Sequence, residues 1–255
     1  MKNKKIVLAI AIIIAVMAIG IIFFMNKDKE KDNNISAEVQ NSDIILKETE
    51  KTALRNEIEN LNEKLKEKNS MKSHEVTEIF DRSILSGNAG KYEKAAKEYI
   101  KDANEALWII AGVLSDDEIS NLYTVQNINK DGPKFKKTIS YIKDSKKKLN
   151  DSYAKISKYL DSEYFDKYYK KKNLGESNKE FFKEITIGSK GFLRSSTIDT
   201  IRESVEEAQE LLDLEVELFE LLKENSDKWN TDKGYLKFTD KSVENKYLEI
   251  VTKMK

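Results

Sequence analysis

The stretch from Tyr92 to Ile110, YEKAAKEYIKDANEALWII, reads as one amphipathic helix. Tyr92, Ala95, Ala96, Tyr99, Ala103, Ala106, Leu107 and Ile110 recur at helical spacing and share a face, while Lys94, Lys97, Glu98, Lys101 and Glu105 fall opposite. The alanines allow a second helix to approach closely, so the stretch predicts a helix packed among helices.

The same period extends outward in both directions. Upstream, Leu54, Ile58, Leu61 and Leu65 form a two-heptad seam in a helix over residues 43–69. The seam suits the first helix of a bundle, or a coiled-coil stalk that pairs with a second copy. A helix over residues 71–85 carries Val76, Ile79, Phe80 and Ile84 and ends in Ser86-Gly87-Asn88-Ala89-Gly90. Downstream, Ser115-Asp116-Asp117-Glu118 has the form of a capping box for a helix reaching residue 128. Pro133 is placed to open the longest helix, predicted over residues 133–172, with Phe135, Ile139, Ile142, Leu149, Tyr153, Ile156 and Leu160 on its stripe.

A second capping box, Ser177-Asn178-Lys179-Glu180, precedes Phe181, Phe182 and Ile185. From Ser195 or Ser196 a long helix runs to residue 225. Gly234 to Phe238 alternates like a short strand, and Val243, Tyr247, Ile250, Val251 and Met254 close the chain as a helix. One proline and nine glycines among 255 residues are too few punctuators for a many-stranded sandwich or barrel.

At the amino terminus, residues 6–25 hold no charge and no strongly polar group. At about 1.5 Å per residue this run matches a bilayer core of roughly 30 Å. It follows Lys2, Lys4 and Lys5 and is longer than a cleaved signal sequence needs, so it reads as an uncleaved signal anchor with its amino terminus in the cytoplasm. Residues 26–42 are charged and asparagine-rich and read as a flexible tether. The expected architecture is therefore all-α: residues 1–25 as anchor, 26–42 as tether, and 43–255 as one extracytoplasmic antiparallel bundle of about six to eight helices, with residues 43–69 available as a stalk.

Composition excludes several chemistries. Without cysteine there is no disulfide, thiolate nucleophile, Cys-ligated zinc or lipid-attachment cysteine, and His74 as the lone histidine cannot form a His/His metal site. His74 and Glu78 share a helix face, but two ligands do not make a zinc site, and His74 is expected to be exposed. No Walker loop or dinucleotide fingerprint occurs, and the Ser-x-x-Lys triplets at Ser140, Ser145 and Ser152 lack the companion motifs of penicillin-binding enzymes. No catalytic, cofactor or metal residue is singled out, and no cofactor is expected.

Charge is arranged unevenly. Residues 130–172 carry 14 lysines against six acids, and residues 196–227 carry 11 acids against two bases. Antiparallel packing of the two long helices would neutralise them mutually. Alternatively Lys146, Lys147, Lys148, Lys170, Lys171 and Lys172 face outward as a basic surface. On helical wheels Lys146 and Glu215 each fall in the middle of an apolar stripe, so both are candidate buried charges, each able to serve as the other's partner in fixing register.

Trp229, the run Gly234 to Phe238, Asp240 and Tyr247 resemble the ends of uncharacterised membrane-anchored helical surface proteins and lipoproteins of bacteria. The resemblance covers about 25 residues and implies no activity. The leading expectation is a membrane-tethered, non-enzymatic interaction or scaffold module on the outer face of a Gram-positive-like cell. Its partners would be the bilayer through residues 6–25, an envelope protein or anionic polymer, and a second copy through residues 54–65, with no nucleic acid. The alternative is a binding module for an anionic envelope polymer or membrane surface through residues 130–172. The third is an envelope hydrolase using two carboxylates.

Overall fold

The computed structural model describes residues 44–65, 74–187 and 195–254. Its elements in chain order are α1 (Glu48–Leu65), α2 (His74–Asp81), α3 (Gly87–Leu114), α4 (Asp117–Asn121), α5 (Val125–Asp131), α6 (Lys136–Leu160), α7 (Ser162–Lys171), α8 (Lys179–Thr186), α9 (Ser195–Glu224), β1 (Trp229–Asp232), β2 (Tyr235–Phe238) and α10 (Lys241–Lys253). They group into two compact units. Unit 1 holds the described parts of residues 109–153 and 201–255, and unit 2 the described parts of residues up to 108 and of 154–200.

The bundle expected from periodicity is present, but a transmembrane helix is not among its elements. No helix among the described residues is long and apolar enough to cross a membrane. Even the apolar run at residues 106–114 in α3 is nine residues long, where about 20 are needed, because charged side chains bound it. The segments assigned to the anchor (6–25) and tether (26–42) lie outside the described residues. The anchored architecture, the membrane localisation and the lipid partner that rest on them are therefore withdrawn.

In unit 2 the seam of α1 turns inward. Leu54, Ile58, Leu61 and Leu65 are all buried, and α1 packs on α2 and α8. Packing within the chain consumes that seam, so the expected dimer stalk through residues 54–65 is corrected: its apolar face has no surface left to offer a second copy. The core beside it is aromatic. Phe182 is fully buried, with its ring centroid 5.2–6.3 Å from those of Tyr92, Tyr99, Phe165, Tyr168 and Tyr169. Burying tyrosine requires an outlet for each hydroxyl. Tyr92 donates to Asn178 O at 2.7 Å, Tyr168 to Ala95 O at 2.8 Å, and Tyr99 to Tyr159 O.

The predicted helix over 133–172 is interrupted. Phe135 takes a left-handed conformation (φ 47°), which an α-helix of L-residues excludes, so α6 starts at Lys136 rather than at Pro133. At its far end the Asp161 side chain accepts the Tyr164 amide and caps a new helix, α7. Both proposed capping boxes are also adjusted. Asp116 rather than Ser115 caps α4, while Ser115 bonds back to Ala111 O. Asn178 leaves α8 without a side-chain cap and spends its amide on Ile44 O. The strand-like segment gains a partner: β1 and β2 pair antiparallel, Asp232 facing Tyr235 across Lys233 and Gly234, both at positive φ as a tight two-residue hairpin requires.

Candidate functional site

Each unit carries its own charged features. In unit 1, α6 and α9 run antiparallel along a polar ladder. Lys143 faces Glu220 (4.0 Å), Lys146 bonds Asp213, and Asn150 accepts from Gln209, so one helix number rises as the other falls. α6 contains eight lysines and two acids. The ladder therefore joins the basic helix to the acidic one at its edge, where each contact is partly solvated.

Lys146 is half-buried at the rim and paired with Asp213, whereas Glu215 is buried at 1% exposure with Oε2 lacking any hydrogen bond. The two candidate buried charges do not meet. Lys146 and Asp213 are 30% and 61% exposed, and exposed pairs contribute about 0–1 kcal/mol. A double-mutant cycle of Lys146→Met and Asp213→Asn is accordingly expected to show coupling below about 1 kcal/mol, and a cycle of Lys146→Met with Glu215→Gln none. Coupling of several kcal/mol in the latter would contradict this arrangement.

Glu215 faces Tyr123, from the turn between α4 and α5. The Tyr123 hydroxyl is also buried without a hydrogen bond, and its ring stacks on Phe219 at 5.9 Å. The hydroxyl and carboxyl are close enough to affect one another, yet they do not reach hydrogen-bond geometry. Burial pushes the Glu215 carboxyl up to about 7, with Tyr123 pulling weakly the other way. Burial, then the nearby Glu215 charge, pushes the Tyr123 hydroxyl far up. Among the described residues no second carboxylate acts on Glu215, so the two-acid arrangement of a hydrolase gains no support there.

The six lysines of the candidate basic surface divide between the units. Lys146, Lys147 and Lys148 lie on α6 in unit 1, and Lys170 and Lys171 end α7 in unit 2, with Lys172 as its C-cap. Lys147 pairs with Asp151 at 2.8 Å, whereas Lys148 is exposed and makes no ion pair among the described residues. Lys170 and Lys171 are exposed, while Lys172 bonds Glu98 and lies 5.3 Å over the Tyr168 ring. Exposed Lys134 and Lys136 likewise make no ion pair among the described residues. His74 is exposed.

Unit 2 contains a buried ionic cluster that the helical wheel misplaced. Lys97, assigned to the polar face of α3, is 3% exposed and bridges Glu93 at 2.7 Å and Glu57 at 2.9 Å. Arg82 adds a two-pronged contact to Glu57. Glu93 also accepts from the amides of Ile84 and Leu85 and from Ser83. Burial alone would push Glu57 up, but the hydrogen bonds and charges of Arg82 and Lys97 outweigh it and hold the carboxyl below its ordinary value. The cluster is closed and satisfied, which suits structure rather than turnover.

No protein-family model matches the chain, and comparison with curated proteins and with solved structures gives no match. The resemblance to membrane-anchored surface proteins and lipoproteins drawn from Trp229, Gly234 to Phe238, Asp240 and Tyr247 is withdrawn. Those residues have a structural occupation instead: the Trp229 ring nitrogen donates to Leu222 O at 2.6 Å, Phe238 packs on Tyr247, and Asp240 caps α10. The scaffold role built on a membrane tether goes with it.

Proposed function

We propose that the protein is a binding module for an extended anionic polymer, held along the solvent face of α6 within unit 1. What supports this reading is that, among the described residues, the acidic helix α9 engages Lys143 and Lys146 of the basic helix, while Lys136 and Lys148 on it and Lys134 just before it are exposed and free of ion pairs. Lys136 shares one strip of the helix with Lys143 and Lys147, whose side chains stay 60% and 75% exposed although each is paired, and Lys148 lies beside that strip, so positive charge follows the exposed side of α6 at about 1.5 Å of rise per residue. Asp144 and Asp151 lie on the same face. A flat anionic surface would press against those carboxylates, whereas a flexible chain passes beside them, which favours a polymer over a membrane surface.

Binding of this kind is electrostatic and screened by salt. Fluorescence anisotropy with a labelled inorganic polyphosphate is expected to show affinity that collapses between about 0.05 and about 0.5 M salt. Replacing Lys134, Lys136 and Lys148 together by glutamine is expected to weaken binding about tenfold at low salt. Affinity indifferent to both changes would refute the reading.

A further inference from the structure

Glu215 has no part in the lysine track, yet it is a buried acid of unit 1 with one carboxyl oxygen lacking a hydrogen bond. We propose that Glu215 is a proton-operated latch: with its carboxyl neutral, residues 117–131 lie closed over α9, and loss of the proton opens that segment so that the carboxylate reaches water.

Three observations carry this. Glu215 Oε2 and Tyr123 Oη are both buried and both lack hydrogen bonds, so ionisation would place a buried charge whose only neighbouring donor is a tyrosine hydroxyl, with no cation beside it. The charged groups on the facing elements are committed elsewhere. From α6, Lys143 faces Glu220 and Lys146 bonds Asp213; from α10, Lys253 holds Glu249, and Tyr247 is a half-buried hydroxyl whose ionisation burial disfavours; from the start of α4, Asp116 bonds Tyr141. Finally, what covers Glu215 is the weakest part of the unit. α4 and α5 have five and seven residues, too short to be stable without the packing of Ile119, Leu122, Tyr123 and Ile128, whereas α6 is a long helix fastened by the ladder.

The direction follows from linkage. The closed form binds the proton more tightly than an open one with an ordinary carboxyl, so closure is fully favoured below about pH 4.5 and is lost as pH rises to about 7. With those two values, the opening constant rises about thirtyfold between pH 5.5 and 8.5.

Amide hydrogen exchange on the full chain tests this, with rates corrected for the intrinsic effect of pH. Protection across residues 117–131 is expected to fall about thirtyfold from pH 5.5 to 8.5 while residues 139–149 of α6 stay constant, and Glu215→Gln is expected to abolish the change. Protection independent of pH, or pH dependence that survives in Glu215→Gln, would overturn the latch. Should that variant fail to fold, the wild-type chain serves: loss of protection across residues 117–131 that tracks the titration of the Glu215 carboxyl carbon supports the latch, and titration of that carbon with protection unchanged overturns it.

Discussion

Lys97→Met is expected to destabilise unit 2 by about 3–5 kcal/mol, the cost of removing one partner from a buried ion pair. Methionine preserves the stem of the side chain, so the loss isolates the charge. Glu93 and Glu57 are 1% and 6% exposed, and both lose the ammonium between them. Glu93 keeps its two backbone amides and Glu57 keeps Arg82, which places the effect toward the lower end of that range. The Arg82 O atom also loses the Lys97 donor. Urea unfolding at neutral pH measures it, and a loss under about 1 kcal/mol would mean that the cluster is more solvated than its burial indicates. Because the Glu57 carboxyl is held low, its contribution is present above about pH 4.5 and is lost as pH falls through the folded value, so the mutant is also expected to show a shallower decline in acid.

Phe182→Ala is expected to cost about 3–5 kcal/mol, through lost transfer energy and the cavity left behind. The ring is fully buried and meets five aromatic neighbours, four of them tyrosines, and the hydroxyls of Tyr92, Tyr99 and Tyr168 are hydrogen-bonded, so those rings cannot swing freely into the space. Phe182→Leu retains part of the volume and is expected to cost roughly half as much. A substitution at Phe238, which packs on Tyr247 at the hairpin, provides contrast in the other unit and is expected to cost less, since Phe238 is only half-buried. Chemical unfolding followed by tyrosine fluorescence reads both. Equal losses at the two sites would argue against a dominant aromatic core in unit 2.

These two residues also show where a sequence is legible. Phe182 follows a capping-box sequence as one of the apolar residues of a short helix, and its burial agrees with that stripe. Lys97 was placed with Lys94, Glu98 and Lys101 on a polar face, because a helical wheel presumes one buried side. α3 is buried on more than one. Glu93, Lys97, Ile100 and Asn104 form a second inward row at helical spacing. The presence of Ile100 in that row, together with the Glu93 and Lys97 pair four apart, is the signal that could have revealed it. The break before α7 was similarly written in Asp161-Ser162-Glu163, a cap followed by an acid in the first turn, but a continuous apolar stripe obscured it. Half of the hairpin is legible: the alternation of β2 shows in its letters, and Lys233-Gly234 is the turn that predicts its partner.

Charge behaved likewise. The opposed composition of the two long helices was countable from residues alone, and so was the intrusion of Lys146 and Glu215 into apolar stripes. Which of them would be buried was not countable. Lys146 has a long flexible stem that carries its charge to the rim and to Asp213, whereas the shorter Glu215 stays where its backbone puts it, beneath Tyr123.

Local order came from the chain itself, since helix period, caps and turn residues act over a few neighbouring positions and are spelled out in consecutive letters. Helical class, the placement of most elements and the opposed charge of the two long helices are settled at that level. Partnership was decided only by packing: that the Leu54 to Leu65 seam closes on α2 and α8, that Lys97 joins acids 4 and 40 residues away, and that Glu215 is roofed by Tyr123. Such contacts depend on which helix arrives at a given face. That choice is made by the competition of all the apolar surfaces for one another, and no single segment contains it.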